Sequence, residues 1–127
     1  MIRIVIPVRL PGMNEYTKMM RTNAYAGASF KKKWQEKVEL FLAGHREDFK
    51  DIKLPIVLNY EYYEVNKRRD HDNVSGFAHK IIQDAMVNVG LIPNDGWNEI
   101  SGYTDTFYVD RDFPRIEVWI DEYGKEG

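Results

Sequence analysis

The sequence predicts an α+β fold: a four-stranded mixed sheet with two main helices packed on one face, in the order β-α-β-α-β-β. Three observations carry that expectation. Residues 74 to 89 hold an unbroken apolar stripe at helical spacing, residues 55 to 65 are dense in β-branched and aromatic side chains, and residues 2 to 8 alternate with period two. At 127 residues the chain has the size of one domain, spanning 1–127, with room for a single core. No internal repeat, low-complexity tract or linker divides it.

Taken in order, Ile2, Ile4, Ile6 and Val8 alternate with Arg3, Val5 and Pro7 as in a strand, and Pro11-Gly12 turns the chain. Asn14 to Gly27 has no clear period and reads as a loop with at most a turn of helix. Ser29 then serves as an N-cap, and Phe30, Trp34, Val38, Phe41 and Leu42 recur at spacings of three and four until Gly44 stops the pattern. Beyond Lys53, Pro55 to Val65 reads as a long strand, with Val57, Tyr63 and Val65 on one face and Leu58, Tyr60 and Tyr62 on the other. The second helix carries Val74, Phe77, Ala78, Ile81, Ile82, Ala85, Met86 and Val89, with Gly90 where a C-terminal cap belongs. Ile100 to Val109 and Arg115 to Ile120 read as two strands joined through Asp110 to Pro114, consistent with a hairpin. The tail from Tyr123 is expected to fray.

Hydrophobic residues make up 43% of the chain and charged residues 30%, the balance of an ordinary globular protein. No cysteine occurs, which excludes disulfides and thiolate metal sites and leaves oxygen or imidazole as the only metal ligands. The run from Met1 to Leu10 is too short and too interrupted by Arg3 and Arg9 for a signal peptide or a membrane span, so a cytoplasmic protein with no membrane partner is expected. The net charge of -2 hides a segregation: residues 1 to 50 carry ten Lys and Arg against five Asp and Glu, whereas residues 51 to 127 carry eight against fifteen. A basic strip for a phosphate backbone beside an acidic metal site has that signature.

The stretch richest in chemistry is Lys67-Arg68-Arg69-Asp70-His71-Asp72-Asn73, between the long strand and the second helix. If it is extended, Asp70 and Asp72 point to the same side and can share a hard cation. Asn94-Asp95-Gly96 follows the helix, and Asp95 reaches that pair only if the chain doubles back along the helix after Gly90. Arg69-Asp70-His71-Asp72-Asn73, then Asp84-Ala85-Met86, then Gly90, then Asn94-Asp95 resembles the pattern of the RusA-type Holliday junction resolvases. The likeness runs over residues 66 to 120 and is loose in the amino-terminal third, where Pro11 to Asn14 and the following basic residues carry it.

That resemblance implies a magnesium-dependent endodeoxyribonuclease that resolves four-way and related branched DNA, working as a homodimer, with Asp70, Asp72 and Asp95 as catalytic carboxylates holding Mg2+. Two departures stand out. The acidic pair of the family is Asn94-Asp95 here, so one carboxylate is missing. The family's helix lysine falls on Gly76 when counted forward from Asp72 and on Lys80 when counted back from Asp84, and Lys80 is favoured. Lys31, Lys32, Lys33, Lys67, Arg68 and Arg69 are the candidate DNA-binding residues. The lysine run opens the first helix in this reading, where cations oppose the helix dipole and so suggest another use.

Plainer readings stand beside these. Asp72 can be the N-cap of the second helix, Asp95-Gly96 an ordinary turn, and Asp84 a local ion pair with Lys80. His71 and His79 are potential metal ligands, Tyr60, Tyr62 and Tyr63 read as sheet residues, and Trp97 either wedges against an unpaired base or covers the core. A non-catalytic DNA-binding or scaffold protein retaining the resolvase fold is the alternative to the enzyme.

Overall fold

Period-two alternation in β2 (Ile56–Glu64) sends Ile56, Leu58, Tyr60 and Tyr62 to one face, and all four are fully buried. The computed structural model, which describes residues 1–124, builds the sheet around that strand. The elements are β1 (Ile2–Ile6), α1 (Met13–Thr22), α2 (Ala24–Leu42), a 3-10 turn leading into the single-turn α3 (Arg46–Phe49), β2, α4 (His71–Asn88), β3 (Ile100–Val109) and β4 (Arg115–Glu122). The fold is α+β with a four-stranded mixed sheet in the order β1-β4-β2-β3. β4 runs antiparallel to both β1 and β2, and β3 runs parallel to β2.

The buried stripe of α4, from Val74 through Phe77, Ala78, Ile81, Ile82 and Ala85 to Met86, supplies the core beneath the helices. Tyr16 of α1 and Phe30 of α2 meet Phe77 with ring centroids 5.1 and 5.6 Å apart, so one aromatic ring joins three helices. Those tilted geometries are favoured by the ring quadrupoles over a direct overlay. The opposite sheet face is polar: Glu117 receives Arg3 and Arg115, and Trp119 donates its indole N–H to Glu61 at 2.8 Å.

Four expectations change. Residues 13–22 form a full helix rather than a loop: Gly12 N–H donates to Glu15 at 3.3 Å in a capping box, and Met13, Tyr16 and Met20 recur at helical spacing with Tyr16 buried. α2 starts at Ala24, not after Ser29, since the Asn23 side chain accepts from Ala26 N–H at 2.7 Å. Asp70, not Asp72, caps α4, accepting from Asn73 N–H at 2.8 Å, and Asp72 lies in the first turn. β3 and β4 are not a hairpin. β4 buries Ile116, Glu117, Val118 and Ile120 and so takes an interior place between β1 and β2, while the Ser- and Thr-bearing β3 forms an edge. The 110–114 connection crosses the end of β2, where Asp110 N–H donates to the Glu64 carbonyl at 2.8 Å. Tyr123 and Gly124 form a turn, and the rest of the tail expected to fray lies outside the described residues.

Candidate functional site

β2 delivers the 66–73 segment to one end of the sheet, and a buried ion pair fixes it there. The Arg69 guanidinium grips Glu64 through two hydrogen bonds of 2.8 Å and gives a third, of 3.0 Å, to the Leu10 carbonyl. Side chains of both partners are nearly buried, at 13% and 12% exposure. Arg69 therefore ties the end of β2 to the bend after β1 instead of projecting toward solvent. Asn73 adds a second tie, accepting from Asn14 N–H at 2.8 Å, and it packs where any Cβ on Gly12 would have to go.

The alternation that would aim Asp70 and Asp72 the same way ends at Asp70, because the helix begins at His71. Both residues are exposed at the head of α4 beside the exposed Lys67 and Arg68. One oxygen of Asp70 is held by the cap, and the Asp72 side chain has no polar partner among the described residues. Asp95 does not join them. It shares one hollow with Gln83 and Tyr103 and another with Lys31 and Asp84. Gln83 is roughly 16 Å beyond Asp72 along the helix axis at 1.5 Å per residue. Among the described residues no group of three or more His, Cys, Asp or Glu side chains stands close enough to hold a metal.

The basic residues divide. Lys31 pairs with Asp84 at 2.8 Å, which replaces the expected Lys80–Asp84 pair. Lys32 is exposed and 4.0 Å from Glu36, and Lys33 and Lys37 lie against the Trp34 ring. The run sits about two turns into α2, so the unfavourable dipole placement inferred for it disappears once Asn23 caps that helix. Gly76 packs on α1, where an added Cβ would meet Met13 at 3.2 Å, whereas Lys80 is exposed. Trp97 is 96% exposed and does not cover the core.

Sequence reasoning missed a polar cluster between α4 and the sheet. Asp105 Oδ1 accepts from the Tyr62 hydroxyl at 2.7 Å and lies 2.7 Å from His79 Nε2, while Gln83 donates to the Tyr60 hydroxyl at 3.1 Å. His79 is flanked by the Tyr60 and Tyr103 rings. An Asp between two threonines on a strand with this inward register was the available signal. Burial pushes the Tyr60 and Tyr62 phenols well above the ordinary 10.0, and for Tyr62 the bond to Asp105 pushes further the same way.

No family model matches the chain, and no curated protein matches it at a significant level. The class is therefore defined by the fold and by the motif at the head of α4: an α+β domain with an exposed Asp-x-Asp pair beside the exposed Lys67 and Arg68.

The buried phenols make a pH prediction. The folded state holds them neutral while the unfolded chain ionises near 10.0, so their stabilisation is complete below that pH and declines as pH rises above it. Tyr62→Phe should cost about 1 kcal/mol near neutrality through the lost hydrogen bond. It should also flatten the alkaline loss. Urea unfolding at about pH 8 and about pH 11 measures both effects, and an unchanged alkaline slope would contradict the assignment.

Proposed function

We propose that the protein is a magnesium-dependent endodeoxyribonuclease that resolves Holliday junctions and related branched DNA, as the resemblance to the RusA-type resolvases implies. The observation that carries this reading is the position of the Arg69-Asp70-His71-Asp72-Asn73 motif. Its two carboxylates are exposed at a helix head that Arg69 and Asn73 hold rigid, next to two cations with no side-chain partner among the described residues. Rigid support of that kind is what a reacting group needs to keep its geometry.

Asp70 and Asp72 suit magnesium, which is commonly held by one or two carboxylates with water and phosphate oxygens completing its shell. A bound ion would supply Lewis acidity and a water of lowered pKa for phosphodiester hydrolysis. Asp95 does not fit that set within one chain, since it lies beside the far half of α4. The chain's own part is to hold the DNA. Lys67 and Arg68 offer positive charge to the backbone at the head of α4, with Lys32 and Lys33 on α2 as a second basic area, and Lys80 offers an exposed ammonium two turns beyond Asp72. Arg69 acts by positioning.

A symmetric homodimer is part of the proposal, because a four-way junction has two equivalent strands and a two-fold axis presents one site to each. Among the described residues no helix is long and apolar enough to cross a membrane, and we take the protein to act in the cytoplasm. The dispersal of Asp95 favours a second reading, a non-catalytic DNA-binding or scaffold protein on the same fold.

Magnesium-dependent nicking of a synthetic four-way junction separates the two. Asp70→Asn and Asp72→Asn should each abolish cleavage and leave junction binding intact or stronger, since a negative charge facing phosphate is gone. Asp95→Asn should retain more activity than either. No nicking by the wild-type protein would overturn the enzyme, and equal loss in all three variants would overturn the exclusion of Asp95. Sedimentation at micromolar concentration should give twice the monomer mass, and a monomer with and without junction would overturn the dimer.

A further inference from the structure

A column of aromatic rings runs from the core to the surface and ends at the Asp-x-Asp motif. Tyr60 and Tyr62 are stacked at 5.9 Å and 9°, Tyr62 and Phe107 at 4.9 Å and 18°, and Phe107 and His71 at 3.9 Å and 4°. The first two rings are fully buried, Phe107 is half-buried, and His71 is exposed between Asp70 and Asp72 in the chain. Phe107 covers one face of the imidazole, and no other ring contacts it among the described residues. Lying flat on the column, His71 presents a rigid ring whose orientation is set by the rings beneath it.

His71 and Phe107 also line a hollow of about 330 Å³ with Tyr108, Asn66 and Lys67. That volume is in the range of small-ligand sites. Asn66 uses its amide oxygen on Arg68 N–H at 2.9 Å, which leaves its NH2 group to donate. Lys67 brings a positive charge to the rim. A flat ring face, an amide donor and a cation together suit one chemical unit, a nucleotide with its base unstacked from its neighbours.

Resting on the reading that branched DNA is bound at Asp70 and Asp72, we propose that His71 is the platform for one unpaired base at the branch point, with Lys67 meeting that nucleotide's phosphate. The base becomes the fifth ring of the column. Base stacking of this kind tolerates any base, because each has a π face, so the platform selects an unstacked nucleotide rather than a sequence. It directs the protein to junctions over continuous duplex, where no base is free to leave the stack.

The test is a cycle of junction binding in EDTA, in which cleavage cannot occur. An abasic site is scanned through the nucleotides flanking the branch point, against wild-type protein, His71→Ala and His71→Phe. At one position the abasic site should weaken wild-type binding roughly tenfold, His71→Ala should weaken binding to intact junction by a similar factor, and the two together should cost no more than either. His71→Phe, which keeps a flat ring, should restore the wild-type pattern. Losses that multiply at every position, or wild-type affinity in His71→Ala, would overturn the platform. Coupling at one position in a protein that never nicks DNA would support the platform and overturn only the endonuclease reading, whereas nicking without coupling would do the reverse.

Discussion

The candidate site depends on the grip of Arg69 on Glu64. Glu64 is the last residue of β2 and would be an isolated charge at a nearly buried sheet end, at 9% exposure, without a cation to meet it. Arg69 meets both carboxylate oxygens, Arg9 reaches the same group at 3.4 Å, and the remaining guanidinium nitrogen satisfies the Leu10 carbonyl. Burying such a pair adds little net stability over an apolar equivalent, but losing one partner strands a charge and costs about 3–5 kcal/mol. The interaction thus acts through specificity. It allows one path for the six residues between β2 and α4, and that path delivers Asp70 to its capping position.

The rest of the site follows from that path. With Asp70 as cap, His71 begins the helix and lies on Phe107, Asn73 reaches Asn14, and the apolar stripe from Val74 onward faces the core. The polar cluster of Tyr62, Asp105 and His79 then closes the seam between α4 and β3, filling hydrogen bonds that the buried Tyr62 hydroxyl would otherwise lack. These ties anchor the head of α4 on both sides and leave Asp70, His71 and Asp72 exposed.

Much of this was legible in the sequence, and the parts that were not share a cause. β2 and α4 were readable because each buries a full face and so writes its period into the residues. α1 buries only Tyr16, so the three-and-four spacing of Met13, Tyr16 and Met20 within its 10 residues is easily passed over. The place of β4 between β1 and β2 depends on partners more than fifty residues away, and a short connection made a hairpin the nearer reading. The nearness of Asp70 and Asp72 to the start of the second helix was legible from their spacing in the chain. The distance to Asp95 was not, because it is set by where the 89–99 return lies beside α4. Lys31 and Arg69 looked free as cations, and only the tertiary structure supplies Asp84 and Glu64 to occupy them.

In the proposed function a divalent ion and DNA meet at the head of α4, at Asp70 and Asp72, away from Asp95. Paramagnetic broadening of backbone amide signals by manganese, titrated in magnesium's place with junction present, locates the ion directly. The amides of residues 70–73 should broaden first while those of Asp95, Gly96 and Trp97 persist. Broadening centred on Asp95 to Trp97, with residues 70–73 unaffected, would contradict it.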